Sequence, residues 1–268
     1  MKHIKPYKIF ESASPVPNFP TTREGVIEVC ERHRIKNYTI NDDLSIDVDG
    51  DVYLVDKGLE YLPLKFNYVS GSFYCYKNEL KSLKGCPQTV GTNFECSYNK
   101  LKTLEGCPQT VGGYFDCFGN ELKSLEGCPQ TVFGYFNCGG NELKSLEGCP
   151  QTVSGDFYCN SNILETFEGS PKVVGGDFMC NNNELKDLEH FPEVSDYINI
   201  DINPVYLLVY TFIENEETDS FMIEDFIDYE IVRNRDTVML DRLQTFIRDN
   251  DLEMPDLEEI KKHYKIIE

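Results

Sequence analysis

The chain repeats itself every 21 residues, and that period limits the fold more than any other feature. Phe73, Phe94, Phe115, Phe136, Phe157 and Phe178 keep the step, as do Cys75, Cys96, Cys117, Cys138, Cys159 and Cys180. Asn78 through Asn183, Leu80 through Leu185, and a second apolar series from Leu83 to Leu188 (Phe at 167) stay in phase with them. The unit reads F-x-C-x-x-N-x-L-x-x-L-x-G-C-P-x-x-V. F-x-C is a short strand whose period of two sends Phe and Cys inward and the residue between them outward. The Asn stands among apolar neighbours and must satisfy its amide on backbone groups as the chain turns. L-x-x-L keeps two side chains inward on a helix-like or irregular arc, G-C-P breaks the arc, and Val returns the chain to the core. One such coil cannot bury its apolar side alone, but stacked coils bury each other's.

The order F-x-C-x-x-N-x-L-x-x-L resembles the leucine-rich-repeat segment L-x-L-x-x-N-x-L, and the short period with Pro in the returning arc is most similar to the bacterial-type class. The resemblance covers residues 52–203. It implies an α/β repeat solenoid of 21-residue coils with a parallel sheet on one face. Cys in place of the usual aliphatic, and Val four residues before Phe rather than three, depart from the family pattern. Val52, Leu54, Lys57, Leu59 and Leu62 form a degenerate first coil. Ile198, Ile200 and Asn203 form a last coil, one residue short.

The flanks read as caps, which an open stack needs to hide its end faces. Residues 1–51 are an N-terminal lead and α+β cap. Residues 1–20 are irregular, Thr21 and Glu24 mark a capping box, and a helix runs to about Ile35 with Val26, Ile27 and Cys30 on its apolar side. Strands follow from Tyr38 to Asp51, with Asp49-Gly50 as the hairpin signal. Residues 204–268 are a helical C-terminal cap: Val205–Ile213 is apolar, and helical spacing continues to a final amphipathic helix through Leu257, Ile260, Tyr264 and Ile267. Residues 205–268 hold 17 acidic and 7 basic side chains.

The whole chain carries 25 Lys+Arg against 46 Asp+Glu, a formal net charge of −21, which argues against direct binding to nucleic acid or an anionic membrane. No apolar run is long enough to span a bilayer, and the start has no secretory apolar core, so a soluble cytoplasmic protein is expected. Ten of the eleven Cys fall on two repeat ladders with no C-x-x-C pair, as reduced core residues do; zinc and disulfides are not expected. A calcium loop starting at Asp47 would place Val52 where Gly is needed and Gly58 where Glu is needed. No P-loop, dinucleotide fingerprint or nucleophile elbow occurs. Neither an enzyme nor a cofactor is expected.

The outward strand positions vary from coil to coil while the inward ones do not. Tyr74, Tyr76, Tyr114, Phe118, Tyr135 and Tyr158 give them an aromatic character, and Glu95, Asp116, Asp156 and Asp177 an acidic one with no basic residue among them. Aromatic anchors with acidic neighbours suit a protein partner with a basic surface, although the same residues could serve only cross-strand packing. The MKHIKPYKIFES start, IKNYTINDDLSIDVDGDVYL and LKSLEGCPQTV together resemble repeat proteins of large tailed bacteriophages. That implies a phage product acting on a host protein in the infected bacterium, as inhibitor or decoy. Two other expectations stay open: an acidic C-terminal nucleic-acid mimic, and a virion structural or decoration protein.

Overall fold

The computed structural model describes residues 17–213 and 220–268, and leaves the side chains at 211–221 and 224 undescribed. The expected irregular lead at 1–16 and the acidic stretch 214–219 lie outside the described residues. Residues 52–203 form a β-solenoid. Its main sheet has eight parallel strands in chain order, from Val52–Tyr53 through Phe73–Tyr74, Phe94–Glu95, Phe115–Asp116, Phe136–Asn137, Phe157–Tyr158 and Phe178–Met179 to Ile198–Asn199. The register puts each Phe against the Phe of the next coil. The six Phe and six Cys are wholly buried, and the successive Phe rings stack with centroids 5.1–5.8 Å apart. The degenerate first and last coils take their expected places at the two edges.

The repeated Asn is what joins one coil to the next. Asn99 Nδ2 donates to Cys96 O of its own coil and to Cys75 O of the coil before, both at 3.0 Å, while its Oδ1 accepts Leu80 N at 3.0 Å. Asn120, Asn141, Asn162, Asn183 and Asn203 repeat the pattern. Lys57 stands one period before Asn78, so the first coil joins the ladder through backbone groups alone: Lys57 N and Leu59 N donate to Asn78 Oδ1, and Leu54 O accepts from Asn78 Nδ2.

Two features of the coil differ from the expectation. The sheet is not confined to one face: the Thr-Val dipeptides pair as well, Phe66–Val69 to Thr131–Val132 within a six-stranded sheet, and Thr152–Val153, Val173–Val174 and Glu193–Val194 in a three-stranded one. β-branched pairs favour this extended conformation. The L-x-x-L arc also holds no helix. Its N–H groups donate between coils, Lys100 N to Leu80 O at 3.0 Å and Glu121 N to Leu101 O at 2.9 Å, so they are not available to an i−4 ladder. Among the described residues, helices occur only in the caps. At the corner between the sheets, Gly112 presses on the preceding coil, where an added Cβ would lie 2.1 Å from Gly91 O.

In the N-terminal cap, α1 (Arg23–His33) is capped by Thr22, whose hydroxyl accepts Gly25 N, rather than by Thr21. Val26 and Cys30 are buried, but Ile27 is 40% exposed and does not share their face. The hairpin pairs Tyr38–Ile40 with Ile46–Val48 around residues 41–45; Asp49-Gly50 instead carries the chain from one sheet to the other. The aspartates of this region tie it down: Asp43 accepts Ser45 N and Oγ, Asp47 accepts Asn67 Nδ2, and Asp49 accepts Ser70 Oγ.

The C-terminal cap contains α2 (Tyr206–Ile213), α3 (Ser220–Asp228), α4 (Leu240–Asp249) and the single turn α5 (Leu257–Ile260). It is not purely helical. The expected last helix stops at Ile260, and Lys265–Ile267 instead adds a parallel strand beside Thr237–Met239, which also pairs with Val232–Arg233. The β-branched Ile266-Ile267 pair suits that strand. Two side chains seat the cap through long-range contacts: Tyr264 Oη donates to Lys186 O at 2.8 Å, and Arg235 reaches both Asp187, at 3.4 Å, and Thr166 Oγ1, at 3.2 Å.

Candidate functional site

The outward side chains of the main sheet lie in three rows running across the coils, one from the residue before each Phe, one from the residue after it, and one from the residue after Cys. All ten residues singled out from the sequence stand on this face and all are half-buried.

The first row is largely structural where it is polar. Asp51 Oδ1 accepts Ser72 N at 2.8 Å, Asn93 Oδ1 accepts Tyr114 N at 3.1 Å, Asp156 Oδ1 accepts Asp177 N at 3.0 Å, and Asp177 Oδ1 accepts Tyr197 N at 3.2 Å. Each caps a backbone donor of the coil that follows. Asp156 and Asp177 therefore spend part of their acceptor capacity inside the solenoid, and Tyr158 Oη donates to the second oxygen of Asp156 at 2.7 Å. That bond first, then burial and the charges of Asp156 and Asp177, raise the Tyr158 hydroxyl to about 12. Ser72 and Ser97, outward by alternation, are buried.

The middle of the face is different. Tyr114 and Tyr135 replace the capping residue, and their rings stack with centroids 4.4 Å apart and planes 7° from parallel. Tyr158 meets Tyr135 edge-on at 5.8 Å. Beside this pair, Glu95 and Asp116 are direct partners on adjacent parallel strands. Glu95 accepts Tyr114 Oη at 3.2 Å and Ser97 Oγ at 3.1 Å. Asp116 accepts Phe118 N at 2.9 Å and Asn137 Nδ2 at 3.1 Å. Burial pushes the Asp116 carboxyl up to about 6; the bonds from Phe118 and Asn137 oppose that shift, and the Glu95 charge adds to it. Burial first, then the Glu95 charge, also raises the Tyr114 hydroxyl. Among the described residues, no Lys or Arg is ion-paired with Glu95, Asp116, Asp156 or Asp177.

Two tyrosines outside the original set belong to the surface. Tyr53, 58% exposed, stacks on Tyr74 at 5.2 Å, and Tyr98, 54% exposed, meets Phe118 edge-on at 5.4 Å. Tyr53 was within reach of the sequence, one period before Tyr74. Tyr98 sits one residue beyond the outward strand positions, at a left-handed φ of 51°, where alternation no longer says which way a side chain points.

The face is open. A cleft of about 330 Å³ lies elsewhere, between the last coils and the cap, beside Asp187, Phe226 and Arg233. Another, of about 720 Å³, lies over the arcs among Lys81, Lys84, Lys100, Glu105 and Glu121. There, Lys81 pairs with Glu60, Lys100 with Glu79 and Lys102 with Glu121. A broad, tyrosine-bearing surface with uncompensated acids suits a macromolecule better than a small ligand. Among the described residues no cluster of potential metal ligands occurs, and no helix is long and apolar enough to cross a membrane. No protein-family model matches the chain, and no curated protein or solved structure is significantly similar to it.

Proposed function

We propose that the chain is a non-enzymatic protein-interaction module of the leucine-rich-repeat-like class, encoded by a tailed phage, which binds a basic surface of a host protein in the infected cell through the tyrosine-bearing sheet face, as an inhibitor or decoy. The observation that carries this reading is the centre of the face. Stacked Tyr114 and Tyr135 there adjoin the Glu95–Asp116 pair, and among the described residues no Lys or Arg is ion-paired with either acid. Like charges on neighbouring strands destabilise a sheet, and a basic partner would relieve that repulsion. Tyrosines held by a rigid stack lose little entropy on binding. The Asn ladder supports the class assignment, because it performs the task that the family motif L-x-x-N-x-L implies.

The test is affinity capture from bacterial host lysate with the wild type and with a variant carrying Tyr74→Ala, Tyr114→Ala, Tyr135→Ala and Tyr158→Ala, shown to be folded by circular dichroism. The expected result is a host protein held by the wild type and lost from the variant. Capture that survives the four substitutions but is lost on charge reversal within residues 214–230 would move the function to the acidic C-terminal region. The chain found in purified virions, with no host protein captured, would make it a structural or decoration protein.

A further inference from the structure

The row of Glu95 and Asp116 runs between two aromatic rows, Tyr114 and Tyr135 on one side and Tyr76 and Phe118 on the other. Parallel neighbours lie about 4.8 Å apart, so the two carboxylates can be bridged by one planar group. A carboxylate offers about four acceptor positions, and the contacts of Glu95 and Asp116 leave some of these open. Their orientations are held from both sides: Tyr114 Oη and Ser97 Oγ hold Glu95, while Phe118 N and Asn137 Nδ2 hold Asp116. The chain already makes a related contact at the edge of the same surface, where Lys77 Nζ stands 6.0 Å from the centroid of the Tyr76 ring.

We propose that Glu95 and Asp116, with the flanking rings of Tyr114, Tyr135 and Phe118, form a seat for one guanidinium group, so that the partner presents an arginine rather than a lysine at the centre of the interface. A guanidinium has five donors in one plane, which reach two carboxylates at once while its face lies on an aromatic ring. An ammonium is a compact, strongly hydrated point charge without a planar fork, so it meets the two demands together less well. This inference rests on the sheet-face reading and sharpens it to one residue type.

The test is calorimetric titration of the full chain at pH 7.5 with blocked tetra-arginine and tetra-lysine peptides, the lysine peptide serving as the equal-charge control. The expected result is at least tenfold tighter binding of the arginine peptide. Glu95→Gln and Asp116→Asn should each abolish that preference. The pair Asp241→Asn and Glu258→Gln, on the acidic cap, should leave it intact. Both of the site variants keep the size and much of the hydrogen bonding of the original side chain, and a melting curve confirms that each is folded. Equal affinity for the two peptides, or the same loss in the cap control, would overturn the seat. The sheet-face reading would still stand in that case if the four-tyrosine variant loses its host protein, so the two failures are distinguishable.

Discussion

Asn141 shares one side-chain amide among three carbonyls, Cys138 O at 3.0 Å, Gly139 O at 3.1 Å and Cys117 O at 3.2 Å, while its oxygen accepts Leu122 N at 3.1 Å. Substitution by Ala strands the buried N–H of Leu122, at a cost of about 1–3 kcal/mol, and takes one of two donors from each carbonyl, since Cys117 O keeps Asn120 Nδ2, Cys138 O keeps Asn162 Nδ2 and Gly139 O keeps Gly119 N. Asn141→Ala should therefore lower the unfolding free energy by about 2–3 kcal/mol in a urea titration, and a loss under about 1 kcal/mol would refute the ladder's role. The position after the outward strand row is left-handed in every coil, from Asp56 and Lys77 to Asn182 and Ile202. Gly119 and Gly140 suit it best, and Asp56 and Asn182 tolerate it. Ile202 has φ 57° and is 72% exposed, so its β-branched side chain carries backbone strain with little packing in return. Ile202→Asn should raise the melting temperature by a few degrees. Asp116 gives a pH signature. Its folded-state pKa lies above its ordinary value of 3.8, at about 6, so the folded chain holds that proton more tightly than the unfolded one. Its contribution to stability is greatest below about pH 4 and is lost as pH rises through 6, a change of about 3 kcal/mol. Asp116→Asn should flatten that slope in melts from pH 4 to 8; an unchanged slope would place the titration elsewhere.

At the scale of elements, the cap on the last coils is held by a few specific polar contacts. Arg235 reaches Asp187 and Thr166, and Tyr264 donates to the carbonyl of Lys186. Asp187 is buried, and burial raises its carboxyl while Arg235 lowers it. Removing the guanidinium leaves a buried acid without its counter-charge. Arg235→Leu should then speed hydrogen exchange across residues 231–267 while the Phe-bearing strands stay protected. Equal loosening of both regions would mean that cap and stack unfold as one unit. The elements also show what periodicity could and could not convey. The F-x-C strands were legible because they repeat with a period of two inside a period of 21. The pattern of the L-x-x-L arc fits a helix-like or an irregular path alike, and hydrogen bonds from the neighbouring coil decide between them. The last strand was hidden because Leu257, Ile260, Tyr264 and Ile267 fit a helical spacing that tertiary pairing with Thr237–Met239 overrides.

The whole molecule is an open stack with its thiols inside. All eleven Cys are free and buried. Burial raises the Cys30 thiol to about 11 and that of Cys128 to about 12, and pushes the other ladder thiols up as well. A thiol reagent at pH 8 should find almost none of them in the native protein and nearly all eleven in denaturant without reductant. A shortfall of two or more after denaturation would indicate disulfides.

Core, period and the order of the main sheet were fixed by the sequence itself, since a 21-residue step of inward Phe, Cys, Asn and Leu leaves no other way to bury those side chains. Tertiary structure alone decided which outward residues are occupied with holding coils together and which face solvent with capacity to spare. Alternation along a strand states only inward or outward. The bonds that engage Asp156 and Asp177 run between residues 21 and 20 apart in the chain, and the pairing of Glu95 with Asp116 exists only because the coils stack in register.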